Sequence, residues 1–276
     1  MHKSNRIIIS ISSDIGYHLA IDWLNQGFNV SGTYRTKNKN CDELIRMGAT
    51  LFQCDLSDKL SIDKAINSLK RQNKWDALII AAGTQNPIGE FLECNFEDWS
   101  DSIGINFTNQ LRFFHGLYEN RNQDLEFFPT FFLFAGGGTN NATLNYSAYT
   151  ISKIASIKMI ELLDAEIKDV SFSILGPGWV KTKIHNATIE AKDMAGENYL
   201  KTINMLAKDE DQWYPMEKVI KCCNWIIDSP RELVSGRNFS AVHDPWESKN
   251  IELIKKNHDN FKLRRFGNDL FSTSNN

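Results

Sequence analysis

The chain has 276 residues, of which 42% are hydrophobic and 24% are charged, and its formal net charge is −3. These proportions are typical of a globular chain with a large buried core and exclude the disordered and fibrous classes. The small net charge predicts no nucleic-acid or membrane partner, and five cysteines without metal-ligand spacing predict reduced thiols in a cytoplasmic protein.

Apolar runs that suit β-strands alternate with helical patterns along the chain. After the first run, apolar residues recur at helical spacing from Ile15 to Leu24 and stop before Gly27. Two longer amphipathic segments, 96–121 and 147–168, are predicted to be helices. The predicted strands are 6–11, 28–33, 50–54, 75–81, 128–135, 170–175 and 237–242.

Strands that alternate with helices predict right-handed crossovers and a parallel sheet covered on both faces. The predicted fold class is therefore α/β, a Rossmann-type doubly wound parallel sheet of about seven strands in a single domain. We assign residues 1–246 to a dinucleotide-binding catalytic domain with a lid segment at about 179–213. Residues 247–276 form a charged C-terminal extension of the same domain.

The turn after the first predicted strand has the position of a dinucleotide-binding loop. It leads into a helix whose N-terminal amides can hold a pyrophosphate. Glycine usually fills three places in such a turn, but only Gly16 is present, and Ser10 and Asp14 occupy the other two. A Ser-rich helix cap explains the turn equally well. The candidate cofactor-binding residues here are Ser10, Ser12, Ser13, Asp14, Ile15 and Gly16.

The end of the second predicted strand bears on the choice of cofactor. An NAD-preferring fold commonly offers an acid to the ribose hydroxyl there. This chain has Tyr34 and Arg35 instead. Arg35 would suit a 2′-phosphate and so favours NADP over NAD, while a solvated basic loop is the alternative.

Tyr149 and Lys153 are candidate catalytic residues at the start of the helix predicted after the fifth strand. Their spacing of four puts both side chains on one helical face. A phenol has an unperturbed pKa of about 10, too high for efficient proton exchange at neutral pH. We therefore expect the lysine ammonium to lower the pKa of the tyrosine. Taken alone, the spacing is common by chance, and a surface pair is the alternative.

With these segments in this order, the chain resembles the short-chain dehydrogenase/reductase family over residues 6–242. The resemblance implies that Lys153 also holds the nicotinamide ribose, and that Asn106 supports a water-mediated proton relay to it. Ala81 replaces the family's asparagine in the segment after the fourth strand. The further cofactor contacts that the resemblance implies are Asp55 and Leu56, Ala81, Ala82 and Gly83, and Pro177, Gly178, Val180 and Thr182.

The chain departs from this family most clearly in the loop before the tyrosine. About thirteen residues before it, the family has a serine that hydrogen-bonds the reacting carbonyl, whereas this chain has Ala135 followed by three glycines. Loss of a comparable donor costs ~10²–10³ in turnover, so either activity is weakened or another group substitutes. Candidate substitutes are Thr139, Asn140 and Asn141, which equally suit a glycine-loop role, and candidate substrate contacts are Trp179 and His185.

The leading interpretation is an NAD(P)-dependent oxidoreductase that transfers a hydride between nicotinamide and a carbonyl or alcohol. A faint likeness to family members from bacterial surface-polysaccharide pathways suggests a sugar-like small-molecule substrate, and the resemblance implies a homodimer or homotetramer. One alternative is a nucleotide-sugar epimerase or dehydratase with tightly held NAD. The other is a dinucleotide-binding scaffold whose chemistry has decayed. No metal site is predicted, because the six histidines are scattered.

Overall fold

The computed structural model describes residues 4–123 and 128–266. Within them, strands alternate with helices, and the observed strands start and end within two residues of the predicted ones. The strands are β1 (Asn5–Ile9), β2 (Asn29–Tyr34), β3 (Thr50–Gln53), β4 (Ala77–Ile80), β5 (Thr130–Phe134), β6 (Ser171–Gly176) and β7 (Arg237–Ser240).

The seven strands form one parallel sheet in the order β3-β2-β1-β4-β5-β6-β7. The chain winds outward from β1 in one direction to β3, then returns and winds the other way from β4 to β7. This arrangement confirms the predicted doubly wound fold. Its topological switch point lies between β1 and β4, where ligands of such sheets bind beyond the carboxyl ends of the strands.

Helices cover both faces of the sheet, because alternate side chains of each buried strand point to opposite faces. Ile8 joins the apolar cluster on one face, and Ile7 joins the cluster on the other. The helices are α1 (Asp14–Asn25), α2 (Lys39–Arg46), α3 (Lys59–Leu69), α4 (Phe96–Ile103), α5 (Asn109–Leu117), α6 (Ser147–Glu166), α7 (Asn186–Ala191), α8 (Glu197–Leu206), α9 (Met216–Asp228) and α10 (Arg231–Val234).

The segment 96–121, predicted as one helix, is interrupted. A π-helical turn, Gly104–Thr108, separates α4 from α5, and a 3₁₀ turn, Tyr118–Asn120, follows α5. The amphipathic pattern did not reveal this break because the apolar face continues through it. A π turn inserts extra backbone into a helix and is frequent at functional sites, and here it carries Asn106.

The segment 179–213 contains the short helices α7 and α8 between 3₁₀ turns, and its role as a lid stays a prediction. Beyond β7, a 3₁₀ helix covers Lys249–Lys256. The division into 1–246 and 247–276 stays a prediction, and residues 267–276 lie outside the described residues. Within 4–123 and 128–266, no helix combines the length and apolarity needed to cross a membrane.

Candidate active site

The turn after β1 has the backbone of a glycine turn although it contains serines. Ser10 has a φ of 66°, a left-handed conformation that favours glycine. The Ser13 hydroxyl accepts a hydrogen bond from the Gly16 amide at 3.3 Å and donates one to the Ala81 carbonyl at 3.2 Å. A β-carbon on Gly16 would lie 2.7 Å from the Ser10 carbonyl oxygen. The one glycine that remains therefore stands where there is no room for a side chain.

Three other residues of this turn are placed around the start of α1. The Ser12 carbonyl accepts from the Asn40 side chain at 3.4 Å, and Ile15 is half-buried against the apolar cluster on this face. Asp14, the first residue of α1, accepts a hydrogen bond on Oδ2 from the Lys183 amide at 2.7 Å. The turn after β1 is thus joined to the loop after β6.

Arg35 and Asp55 lie beyond the ends of β2 and β3. Arg35 is exposed, and its carbonyl accepts from the Gln53 side chain at 3.2 Å. The pKa of Asp55 is lowered chiefly because the Ser57 amide donates to its carboxylate at 2.9 Å, with a smaller contribution from the Arg35 charge. The two residues are therefore near enough to interact electrostatically.

Asn106 is fully buried and holds the segment after β4. Its Oδ1 accepts from the Thr84 amide at 2.9 Å, while its Nδ2 donates to the Thr84 carbonyl at 2.8 Å and to the Ser102 hydroxyl at 3.1 Å. A β-carbon on Gly83 would lie 3.5 Å from Asn106 Oδ1 and 3.8 Å from Lys153 Nζ. Asn106 and Lys153 thus flank the same glycine.

Tyr149 and Lys153 are on the first two turns of α6. Lys153 is 97% buried and its Nζ donates to the Phe134 carbonyl, at the end of β5, at 2.9 Å. Its Nζ lies 5.6 Å from the centroid of the Tyr149 ring. The ring itself packs against the glycine loop, where a β-carbon on Gly136 would lie 2.7 Å from Tyr149 Cε1. The phenol and the ammonium are therefore neighbours, with the lysine buried and the tyrosine half-buried.

The sequence led us to expect that the Lys153 ammonium lowers the pKa of Tyr149. This expectation is wrong for this structure. Burial raises the pKa of Tyr149 to about 12 and lowers the pKa of Lys153 to about 8. The physical reason is that removal from water penalises the charged form of each group. The ammonium is directed at a backbone carbonyl, and its attraction for a phenolate is smaller than this cost at the phenol.

The glycine loop carries the candidates for replacing the missing hydroxyl. Thr139 is half-buried, and Asn140 and Asn141 are exposed. Gly138 has a φ of 93° and lies against Thr150, whose methyl would be 2.5 Å from a β-carbon there. The role of Thr139, Asn140 and Asn141 stays a prediction.

Two stacked aromatic rings lie at the start of the segment 179–213. The rings of Trp179 and His185 are 5.2 Å apart and nearly parallel, at 3°, and Trp213 lies 5.7 Å from His185 on another side. His185 Nε2 is 3.0 Å from the Val180 carbonyl, and burial lowers the pKa of the imidazole. Trp179 is 44% exposed, so much of its indole surface remains accessible to a ligand.

The remaining sequence candidates lie on the loops at the same edge. Gly178 has a φ of 79°, Val180 is buried, and Thr182 precedes the turn that contains His185. Half-buried Pro177 comes directly after β6. The carbonyls of Leu56 and Ala82 accept from the side chains of Asn109 and Gln110, at 2.8 and 3.1 Å.

Sequence reasoning missed several residues that organise the site. A glycine at the family's serine position was visible, but the packing of Tyr149 against Gly136 was not. Asn109 and Gln110 donate to the Leu56 and Ala82 carbonyls, and Asn106 bonds to Thr84. These bonds depend on the register that the π turn sets, which no local pattern indicates. Within the described part of the chain, no three His, Cys, Asp or Glu side chains are grouped as a metal site would require.

Comparisons with known proteins agree with this architecture. A family model described as Enoyl-(Acyl carrier protein) reductase matches residues 10–212. No curated protein sequence matches the chain significantly.

Solved structures resemble it in fold. An actinorhodin polyketide ketoreductase with NADPH is 18% identical, with a TM-score of 0.74 over 86% of this chain and 95% of that chain. A 4-hydroxyisoleucine dehydrogenase with NADH is 19% identical, with a TM-score of 0.72 over 86% and 96%. A short-chain dehydrogenase/reductase from Mycobacterium ulcerans is 15% identical, with a TM-score of 0.70 over 87% and 88%. Because the family match extends over residues 10–212, well over half of the chain, this protein belongs to the short-chain dehydrogenase/reductase family of oxidoreductases.

Proposed function

We propose that the protein is an NAD(P)-dependent enzyme that reduces a carbonyl compound to an alcohol, with Tyr149 as the proton donor. The observation that carries this proposal is the pairing of half-buried Tyr149 with buried Lys153 at the carboxyl edge of the sheet. A phenol with a pKa of about 12 carries its proton at neutral pH, and the protonated phenol is the form that carbonyl reduction requires.

The residues at this edge fit a nicotinamide dinucleotide in most respects. The left-handed turn at Ser10 and the first amides of α1 suit a pyrophosphate. Arg35 and Asp55 stand where the adenosine end would lie, and the exposed backbone at Gly83 gives access to Lys153. The further contacts that we assign to the cofactor are Ser12, Ser13, Ile15, Gly16, Leu56, Ala81, Ala82, Pro177, Gly178, Val180 and Thr182. The Asp14 carboxylate, in the first turn of α1, opposes an anionic ligand.

The chain's own groups would act as follows. A nicotinamide dinucleotide, when bound, supplies the hydride that adds to the carbonyl carbon. Tyr149 donates its hydroxyl proton to the carbonyl oxygen, which leaves a phenolate. The Lys153 ammonium, held by the Phe134 carbonyl, stabilises that phenolate. Asn106 fixes the Thr84 backbone beside Lys153 and so keeps the lysine in place.

The test is turnover by the purified protein with NADPH across a panel of carbonyl compounds, with NADPH binding measured separately. Tyr149→Phe should abolish turnover and leave binding within about twofold, because only the proton is lost. Tyr118→Phe is the matched control. The Tyr118 hydroxyl donates to Asp169 at 3.1 Å, and Asp169 lies just before the amino end of β6, away from the carboxyl edge of the sheet. Equal turnover by Tyr149→Phe and wild type would remove the mechanism. Binding without any turnover would favour the decayed scaffold, and NAD that copurifies would favour the epimerase or dehydratase.

We propose NADP as the preferred cofactor because Arg35 directly follows β2, where an acid would favour NAD. Arg35→Ala should weaken NADPH binding about tenfold and NADH binding much less, since only NADPH carries the 2′-phosphate. Lys37→Ala is the control, because Lys37 already pairs with Asp42 at 2.8 Å. Equal losses for the two dinucleotides would overturn this preference.

A sugar-like substrate, a homodimer or homotetramer, and a cytoplasmic location stay predictions. Trp179 and His185 support a ring-shaped substrate in one respect, because an exposed indole offers a flat apolar surface.

A further inference from the structure

The hydrogen bond between Asp14 and Lys183 crosses the carboxyl edge of the sheet. Asp14 begins the helix after β1, and Lys183 lies in the loop after β6. In the sheet, β4 and β5 stand between β1 and β6. At about 4.8 Å between neighbouring strands, the two loops start ~14 Å apart. The loop after β6 therefore leans over the ends of β4 and β5 to reach Asp14.

This contact places a carboxylate at the anion-binding end of α1. A helix N-terminus attracts negative charge, and Asp14 supplies that charge from within the chain. A pyrophosphate at the same helix end would stand beside Asp14 and be repelled by it. The same bond also ties down the loop that would have to admit a dinucleotide.

We propose that Asp14 weakens dinucleotide binding, because its carboxylate stands at the anion-binding end of α1 and its bond to the Lys183 amide holds the loop after β6 over the groove. This inference rests on the proposed function, because it concerns the same groove. Two separate effects follow from the geometry: the carboxylate repels the pyrophosphate, and its bond to the Lys183 amide holds the groove closed.

Two substitutions separate these effects. Asp14→Asn keeps an oxygen that can accept from the Lys183 amide and removes the charge, whereas Asp14→Gly removes both. We expect Asp14→Asn to bind NADPH about fivefold to tenfold more tightly than wild type. The reason is that the substitution removes one negative charge, at a half-exposed position, from the neighbourhood of the pyrophosphate. Asp14→Gly should bind at least as tightly as Asp14→Asn.

Asp98→Asn is the matched control. Asp98 is an exposed acid in the first turn of α4, so its loss has the same small effect on a helix N-terminus without touching the groove. Its NADPH affinity should equal that of wild type.

The measurement is the equilibrium dissociation constant for NADPH and NADH by calorimetry, with no substrate present, at about 0.05 and 0.5 M salt. Tighter binding by both Asp14 variants, with a gain that shrinks at high salt, supports the proposal. Binding to wild type that is as tight as, or tighter than, binding to the Asp14 variants overturns the proposal and leaves the proposed function standing. If neither wild type nor any variant binds NADPH or NADH, both this proposal and the proposed function are overturned.

Discussion

The hydroxyl of Tyr149 lies in the space that a side chain at position 136 would need. A β-carbon built on Gly136 would stand 2.8 Å from that oxygen and 2.9 Å from Lys153 Cγ. Real β-carbons do not approach other atoms so closely. Tyr149 can therefore occupy this position only because residue 136 is a glycine and not the family's serine.

Restoring the serine should consequently not restore activity. Gly136→Ser forces Tyr149 away from the glycine loop, because its ring and hydroxyl cannot share that volume. We expect a loss of about 1–3 kcal/mol in the free energy of unfolding. Turnover with NADPH should fall rather than rise.

Gly137→Ser is the control for this prediction. A β-carbon on Gly137 meets nothing within 4 Å, so the same hydroxyl is added one residue away without a clash. Urea unfolding should give it the stability of wild type within about 0.5 kcal/mol. A Gly136→Ser protein that is as stable as Gly137→Ser, or more active than wild type, would contradict the packing argument.

The low pKa of Lys153 predicts the pH dependence of turnover. The lysine loses its proton as the pH rises through about 8 and then no longer stabilises a phenolate. NADPH oxidation should therefore fall above about pH 8. Lys153→Arg, whose guanidinium stays charged, should turn over more slowly but lose this fall. An unchanged fall in Lys153→Arg would assign it to another group.

The same shift has a consequence for stability. The folded-state pKa of about 8 lies below the usual 10.5, so between these values the unfolded chain binds more protons than the folded one. Stability attributable to Lys153 therefore rises with pH across that window. Lys153→Met should remove this rise in the free energy of unfolding measured from pH 8 to 10.

The sheet could be read from the sequence because each buried parallel strand is a continuous apolar run. The run that contains β4, Ala77–Ile80, is buried on both faces, so no partner had to be known to recognise it. The helix of Tyr149 and Lys153 was found for a related reason, since a spacing of four is a local property.

The contacts that shape the site could not be found in this way. Asp14 and Lys183 are 169 residues apart, and no local sequence pattern at either residue indicates a contact with the other. The pKa of Tyr149 was expected to fall because the neighbouring charge was known, whereas the depth of burial was not. Local rules therefore predict elements and facing pairs, but not desolvation or contacts between loops.

Asn106 should be required for the stability of the site as well as for its geometry. Asn106→Ala leaves the half-buried Thr84 amide and carbonyl without their bonds at 2.9 and 2.8 Å. We expect a loss of about 2–4 kcal/mol. Asn109→Ala, on the same helix, loses only the bond to the Leu56 carbonyl and should cost about 1 kcal/mol. If urea unfolding gave the same loss of unfolding free energy for Asn106→Ala and Asn109→Ala, this prediction about Asn106 would be wrong.

The segment after β7 packs back onto the fold, and two of its contacts are with β7 and α6. The Asn238 amide of β7 donates to the Phe261 carbonyl at 2.8 Å, which covers part of an edge strand. Arg264 binds both carboxylate oxygens of Glu161 on α6, at 3.0 and 2.7 Å.

This second contact predicts a pH-dependent contribution to stability. Hydrogen bonds from Arg264 lower the pKa of Glu161 to about 2, below its usual 4.5. The stabilisation is therefore present above pH 4.5 and is lost as the pH falls toward 2. Arg264→Ala should cost about 1–2 kcal/mol at neutral pH and much less at about pH 3 in urea unfolding. Lys255→Ala removes an exposed pair with Glu252 in the same segment and should cost under about 0.5 kcal/mol. A cost for Arg264→Ala that is the same at both pH values would show that the arginine stabilises the segment by packing and not through the Glu161 carboxylate.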